Sequence, residues 1–307
     1  MAEFSQLHNS NPETIEPQLV LLNDSESSNE MGSYQLIELR TKNIAFAFPN
    51  RELISKDLEL IYGIGSLTSS RLKNAGFNQL NDLLDHPRWS KAASQLIRLI
   101  ENQNVQQLYA YGASDLELLS FFEPGQIKFV DIETLGLFYA YPVFLIGILE
   151  FRKGVGYIRQ LLARNYQEEI AILAELDNEF RNSGVIASYN GKSFDVPYLQ
   201  GRLRYYQFDA TFNAFHLDLL RHTRRNYRST LPNCRLTTIE KFILKEERTD
   251  DLPGSEAPLV YQQYLDSGER KLLDPILKHN AWDLLALAKI LGLLTSELEE
   301  GVAFNGC

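Results

Sequence analysis

Cysteine is nearly absent from these 307 residues, with only Cys234 and Cys307 present and far apart. That excludes a disulfide framework and a zinc site built on paired thiolates. Long apolar runs are missing too. The longest, Pro142 to Leu149, is closed by Glu150 and Arg152, well short of the ~20 residues that span a bilayer, so no membrane partner is expected. The opening MAEFSQLHNSNPETIEP has neither a basic n-region nor an apolar h-region. No secretory signal is expected from it, and the cytoplasm is the expected compartment. Positive charge is in short supply: 30 Lys and Arg stand against 40 Asp and Glu, a net of −10. Taken over the whole chain that balance argues against a phosphate-binding protein, because counterion release rewards clustered Lys and Arg, an objection that the distribution of the charge weakens.

The composition that remains is that of an ordinary globular chain, 44% hydrophobic and 23% charged, which rules out wholesale disorder and a fibrous repeat. At ~150 residues per domain the length predicts about two domains. The charge is unevenly spread. Residues 1–40 carry seven acids against Arg40, a net of −6, whereas residues 201–248 carry ten basic side chains and five acids, a net of +5. One stretch of an acidic protein is locally basic.

Residues 1–32 are rich in Ser, Asn and Glu without sustained periodicity, and are expected to form a flexible acidic tail. Residues 33–118 are expected to form a helical module. YQLIEL and NIAFAF lead into it as short strands or an irregular segment. Over 57–101, DLELIY, a turn at Gly63 to Gly65, SLTSSRLKNAGF, NQLNDLLDHP and KAASQLIRLIE read as helices, with Gly76 as a C-cap. Residues 119–307 form the second domain. IKFVDIETLG, YPVFLIGILEF and VGYIRQLL read as strands, YQEEIAILAELDNEFRNSG as an amphipathic helix and VIASYN as a buried strand. SFDVPYLQGRLRYYQ reads as a helix with Pro197 near its first turn. HLDLLRHTRRNY and TTIEKFILK are read as helical, and LLDPILKHNAWDLLALAKILGLLTSELEE as one long helix or a pair. Strands first and helices after describe an α/β domain, a mixed sheet flanked by helices.

On a strand Asp131 and Glu133 are at i and i+2, so both carboxylates leave one face while Val130 and Ile132 enter the other. Carboxylates that close raise one another's pKa unless a cation lies between them. Asp195 follows a buried strand in Tyr189-Asn190-Gly191-Lys192-Ser193-Phe194-Asp195, where it serves either as a ligand or as a helix N-cap. His279 and Asp283 share a helix face at i, i+4. If sheet and helix converge, four carboxylates meet. That hard-oxygen set suits magnesium or manganese rather than zinc. Two such ions about 4 Å apart can bracket a scissile phosphate, with His279 placed to take a proton from water.

VDIET, SYNGKSFDVPYL and HNAWD resemble the three motifs of the DEDD (DnaQ-like) 3′–5′ exonucleases on a ribonuclease H-like fold. YNGKSFDVPYLQGR, HLDLLR, LPNCRLTTIEKFI, LPGSEAP and HNAWDLLALA together resemble the YprB-type ribonuclease H-like family of predicted exonucleases, over about residues 125–295. The resemblance implies a nucleic-acid substrate and ligation of two Mg2+ or Mn2+ ions by Asp131, Glu133, Asp195 and Asp283. It implies His279 as general base. In the third motif His279 stands four residues before Asp283, with three residues between them, the position that DEDDy enzymes give to tyrosine.

Asn190 either touches the sugar-phosphate or forms the turn, and Phe194 either wedges against terminal bases or joins the core. Asp218 is expected to be a structural acid rather than a fifth ligand. Arg224 and Arg225, with Arg221 and Arg228, either track phosphates or form a solvated helix face. LIYGIGSLTSSRLKNAGFNQLNDLL resembles a helix-hairpin-helix motif. Gly63 and Gly65 would let backbone N–H groups approach a phosphate, with Arg71 as a further donor. Three functions are open on this reading: a 3′–5′ exonuclease acting on single-stranded or 3′-ended DNA, or RNA; a structure-selective endonuclease; and a noncatalytic adaptor that keeps the fold.

Overall fold

The computed structural model describes residues 13–15, 18–41 and 49–299. NIAFAF, most of residues 1–17 and Cys307 lie outside the described residues. Two compact units emerge, one holding the described residues up to 41 and 124–293, the other 49–123 and 294–299.

The first unit contains β1 (Glu13–Ile15), β2 (Leu19–Asn29), β3 (Gly32–Thr41), β4 (Ile127–Thr134), β5 (Val143–Arg152), β6 (Val155–Leu162), β7 (Val185–Ser188), β8 (Phe215–Asp218) and β9 (Glu246–Arg248). Seven of them form one mixed sheet in the order β2-β3-β6-β5-β4-β7-β8, and β1 pairs with β9 in parallel. From β2 to β4 the neighbours run antiparallel, whereas β7 runs parallel to β4 and β8 parallel to β7. The near-continuous apolar run of β5 is buried from Val143 to Phe151, as a strand covered on both faces must be.

The second unit carries α1 (Glu52–Lys56), α2 (Ser66–Asn74), α3 (Ser90–Glu101), α4 (Val105–Ala110) and α5 (Asp115–Leu118), with short 3-10 turns between them. Among its described residues there is no strand. After α2, Gly76 takes φ +95°, and Phe77 N–H returns to the Leu72 carbonyl at 3.0 Å, the left-handed ending expected of that glycine.

Helices α6 (Glu169–Arg181), α7 (Asp195–Tyr205), α8 (Leu219–Tyr227), α9 (Leu236–Ile239), α10 (Ala257–Ser267) and α11 (Asp274–Glu299) complete the chain. Val130, Ile132, Ile146, Ile148 and Leu161 enter one core with Ile172 and Leu176 of α6 and Leu199 and Leu203 of α7. Phe144 and Leu162 enter a second core with Tyr261 of α10 and Ile276 of α11, where the Phe144 and Tyr261 rings stack at 4.1 Å. Each such side chain taken from water contributes about 1.5–3 kcal/mol.

Three expectations are corrected. Residues 19–29 are not a flexible tail but strand β2, an edge strand whose side chains are half-buried or exposed. Its polar sequence offers no apolar alternation to read; what places it is backbone pairing with β3 through a tight hairpin, Asn29 opposite Gly32, with Gly32 at φ +141°. The helical unit therefore does not begin at residue 33, because Gly32–Thr41 belongs to the sheet, and it extends to residue 123 rather than 118. HLDLLR is not helical throughout. Phe215–Asp218 is strand, and Asp218 ends it by accepting the Leu220 amide at 3.1 Å, capping α8. The C-terminal segment is one helix, not a pair.

Candidate active site

Pairing places Asp131 opposite Gly147 on β5 and Gly147 opposite Gln160 on β6, so the three residues form a row across one face of the sheet. Over that row lies Asn280 of α11. Its amide nitrogen donates to the Asp131 carboxylate at 2.8 Å and to the Asp131 carbonyl at 3.2 Å, and its oxygen accepts from Gln160 at 2.9 Å. Gln160 Nε2 also reaches the Leu277 carbonyl at 2.7 Å. Glycine is required in the middle of the row, since a Cβ on Gly147 would lie 2.2 Å from the Asn280 amide oxygen.

Asp195 arrives from the other side of β4. Pairing of β4 with β7 stops at Phe129 opposite Ala187, and the Ile132 amide beyond it bonds the Asp195 carboxylate. The turn that delivers Asp195 is built by Asp218, which accepts the amides of Asn190 at 2.9 Å and Lys192 at 3.1 Å. Asn190 is left-handed, φ +67°, and a Cβ on Gly191 would stand 2.1 Å from Ser188 Oγ. This is the structural role expected of Asp218, and the Asn-Gly pair is the geometry that role needs. His216, beside it on β8, is 2.7 Å from Ser188 Oγ through Nε2.

α11 supplies His279 and Asp283. His279 Nδ1 is 2.8 Å from Asp251 Oδ1, and its Nε2 is 3.7 Å from Asp283 Oδ2. Gly254 leaves room for the ring, a Cβ there coming 3.2 Å from Nε2. Asp283 Oδ1 is 2.6 Å from the buried Arg248 of β9, which also reaches Glu240 at 2.9 Å and Asp251 at 3.1 Å.

The electrostatics join these elements. Burial, then the charges of Asp283, Glu133 and Asp195, hold the Asp131 carboxyl well above the usual range, while the Asn280 bond works against this. Burial pushes Glu133 up to about 8 against the pull of His279, with Asp283 and Asp195 adding to the rise. Asp195 is raised to about 7, mainly by burial and then by the Asp218 and Asp283 charges, against its backbone bonds. Burial opposes the His279 imidazolium, but the Asp251 bond and the Asp283 and Glu133 charges outweigh it and lift the pKa to about 9. Asp131, Glu133, Asp195 and Asp283 thus share one field, with His279 and Arg248 as its cations. Excess buried carboxylate is the donor chemistry of a hard divalent cation. Among the described residues no three His, Cys, Asp or Glu side chains already stand in a metal-holding arrangement.

The other candidates fall elsewhere. Phe194 packs partly buried against the core and lies 5.4 Å from the Tyr198 ring. Arg224 and Arg225 are exposed on α8, and Arg224 lines an open cavity of about 450 Å³ with Arg228, Pro232 and Asn233. Gly63, Gly65 and Arg71 belong to the helical unit, where Gly63 has φ +88° and Arg71 is exposed on α2. The sequence reading missed Gly147, Gln160, Asn280, Asp251 and Arg248. Gln160, a lone amide inside an apolar strand, and Asn280, next to His279, carried a signal in their positions. Asp251 and Arg248 sit in a charged run, KEERTDD, which gives no hint of burial.

A family model described as the RNase H superfamily matches residues 128–295. An uncharacterized protein of Bacillus subtilis, YprB, is 29% identical over 173 residues, which are 55% of this chain and 42% of that protein. The chain therefore spans about two fifths of the length of this curated relative. Among solved structures, a family B DNA polymerase from Pyrobaculum calidifontis is similar over 56% of this chain and 24% of its own, with 13% identity and a TM-score of 0.43. Exonuclease I of E. coli, solved in complex with a dA16 oligonucleotide, is similar over 52% of this chain and 45% of its own, with 18% identity and a TM-score of 0.32.

Proposed function

The chain belongs to the RNase H superfamily, and from that premise we propose that it is a metal-dependent nuclease, acting as a 3′–5′ exonuclease on single-stranded or 3′-ended nucleic acid. The observation that carries the reading is the convergence of Asp131 and Glu133 from β4, Asp195 from α7 and Asp283 from α11 into one buried, mutually repelling set. Two Mg2+ or Mn2+ ions held there would supply the charge that activates water and stabilises the leaving oxygen.

The chain's own residues supply the rest. Asn280 fixes the Asp131 carboxylate, and Asp218 fixes the turn that presents Asp195. Asp251 holds His279 by Nδ1 and leaves Nε2 toward Asp283 as the proton acceptor. With unmatched carboxylates around it His279 is protonated at neutral pH, so it becomes a base only when their charge is compensated. Asn190 and Phe194, in the turn just before Asp195, are proposed as contacts to the nucleic acid, and Arg224 and Arg225 offer charge for phosphates. In the helical unit Gly63, Gly65 and Arg71 are proposed to contact a phosphate backbone in the manner of a helix-hairpin-helix.

One observation favours a second reading, a noncatalytic nucleic-acid or protein adaptor: Asp283 is already paired with Arg248. Degradation of end-labelled single-stranded DNA and RNA, with 3′ ends free or blocked, in magnesium, manganese or EDTA, separates the two. The nuclease predicts a metal-dependent ladder receding from free 3′ ends and absent in Asp131→Asn. Cleavage of neither polymer by folded protein selects the adaptor, and internal cuts at blocked ends select an endonuclease.

A further inference from the structure

The β4–β5 loop, which leaves β4 directly after Glu133 and Thr134, turns large side chains into solvent: Leu137, Phe138 and Tyr139 are 77%, 72% and 61% exposed. Exposure here does not come from a loose chain. Arg202 donates to the Tyr139 carbonyl at 3.1 Å, the Tyr198 hydroxyl to the Tyr141 carbonyl at 2.9 Å, and the Leu135 amide to the Pro142 carbonyl at 3.0 Å. The Tyr139 ring lies against Gly201, where a Cβ would come within 2.6 Å of it. Arg202 is itself locked by the fully buried Glu169, which also accepts from the Val143 amide and the Tyr206 hydroxyl, both at 2.8 Å.

Beside the loop runs an open groove of about 720 Å³, lined by Tyr139, Pro197, Gln200, Arg204 and Tyr205 among others. Pro197, Gln200 and Arg204, at i, i+3 and i+7, form one stripe of α7, with Tyr205 beside its far end. At 1.5 Å per residue the stripe is about 10 Å long, the length of roughly three stacked nucleotides. At its far end the Tyr205 ring, 69% exposed, is held 4.6 Å from the Arg202 guanidinium and edge-on to Tyr206 at 4.9 Å. Arg204 adds an exposed cation to the same groove.

Oriented, exposed rings and an exposed cation along one groove match the chemistry of an unpaired strand: base faces for the rings and a phosphate for the arginine. Paired bases keep their faces inside the duplex and would not use such rings. We propose that the groove between the β4–β5 loop and α7 binds single-stranded nucleic acid, about three nucleotides of it, with Tyr139 and Tyr205 as stacking platforms and Arg204 as a phosphate contact. The proposal rests on the nuclease reading for nucleic acid as the occupant.

The test is fluorescence anisotropy with full-length Asp131→Asn protein and labelled single strands of two to eight nucleotides, DNA and RNA, against a blunt duplex. Affinity should rise with length up to about three nucleotides and then level off. On the same background Tyr205→Ala and Tyr139→Ala should each weaken binding about 5- to 150-fold, the range of one lost base–aromatic stack, while Tyr205→Phe keeps it. Both side chains are exposed, and circular dichroism melts check that the variants are folded. Single-strand affinity indifferent to both alanine substitutions, or duplex affinity weakened by them as much as strand affinity, overturns the groove. The nuclease reading fails separately, on wild-type protein that hydrolyses neither strands nor the p-nitrophenyl ester of a mononucleotide in magnesium or manganese.

Discussion

Gly147 and Asn280 compete for one volume: a Cβ on the glycine would lie 2.2 Å from the asparagine's amide oxygen and 2.7 Å from its nitrogen. That amide is what fixes the Asp131 carboxylate, so the bare backbone on β5 is a condition for the geometry of the site. Gly147→Ala should cost about 1–3 kcal/mol by overpacking, read as a lower urea midpoint. Asn280→Ala removes the obstacle but also the donor to Asp131. The double variant should therefore be less destabilised than the sum of the two singles. Strict additivity would mean that Gly147 is required for some other reason.

Stability of the metal-free chain should fall as pH rises from about 5.5 to 8.5. Glu133 at about 8 and Asp195 at about 7 ionise later in the folded chain than in the unfolded one, and Asp131 is raised as well. For groups raised on folding, stability is complete below the unfolded value, about 4 for carboxyls, and is lost as pH climbs through the folded one. His279 works in the same direction, its contribution complete below about 6.5 and lost as pH rises through about 9. Urea midpoints in EDTA at pH 5.5, 7 and 8.5 should descend. Magnesium or manganese should recover most of the loss at pH 8.5, and Asp131→Asn should flatten the profile. Midpoints that climb with pH would contradict a repelling carboxylate set.

How much of this was legible follows from where each residue draws its partners. Asp131 and Glu133 announce themselves because strand geometry is local: an i, i+2 pair on an apolar strand shares a face in any fold. His279 and Asp283 are legible for the same reason on a helix. Asp251 and Arg248 are not, because KEERTDD reads as a solvated run and only the approach of α11 buries it. β2 is hidden differently. Its residues bury little, and its place at the sheet edge is owed to backbone hydrogen bonds that any sequence can make.

Arg248 is a buried cation serving three acids, and its removal leaves Asp283 and Glu240 without their countercharge. Burial already raises Glu240 to about 7 even with the arginine beside it. Arg248→Met should therefore lower the stability of the metal-free chain by about 3–5 kcal/mol at pH 8, the cost of breaking one side of a buried pair. The loss should shrink toward pH 5.5, where the freed carboxyls can take up protons. Added manganese should offset part of it at pH 8 if Asp283 is a ligand. A deficit of equal size at both pH values, untouched by manganese, would make Arg248 a packing residue rather than a countercharge.

The two glycines of the Gly-Ile-Gly turn have different tasks, and substitution should separate them. Gly63 has φ +88° with the Trp89 ring 3.5 Å from where its Cβ would be, so Gly63→Ala should cost about 1–2 kcal/mol in backbone strain alone. Gly65 has φ −99°, nothing within 4 Å of a Cβ, and sits at the N-cap of α2. Gly65→Ala should leave the urea midpoint within about 0.5 kcal/mol of wild type. If this turn holds a phosphate backbone, the added methyl group stands where the strand must approach, and duplex affinity should drop while hydrolysis of short single strands is retained. Arg71→Ala, on the exposed face of α2, should weaken the same binding and reduce its salt dependence by about one charge. Unchanged duplex affinity in both variants, with folding intact, would remove nucleic acid from the tasks of the helical unit and leave the strand to the sheet domain alone.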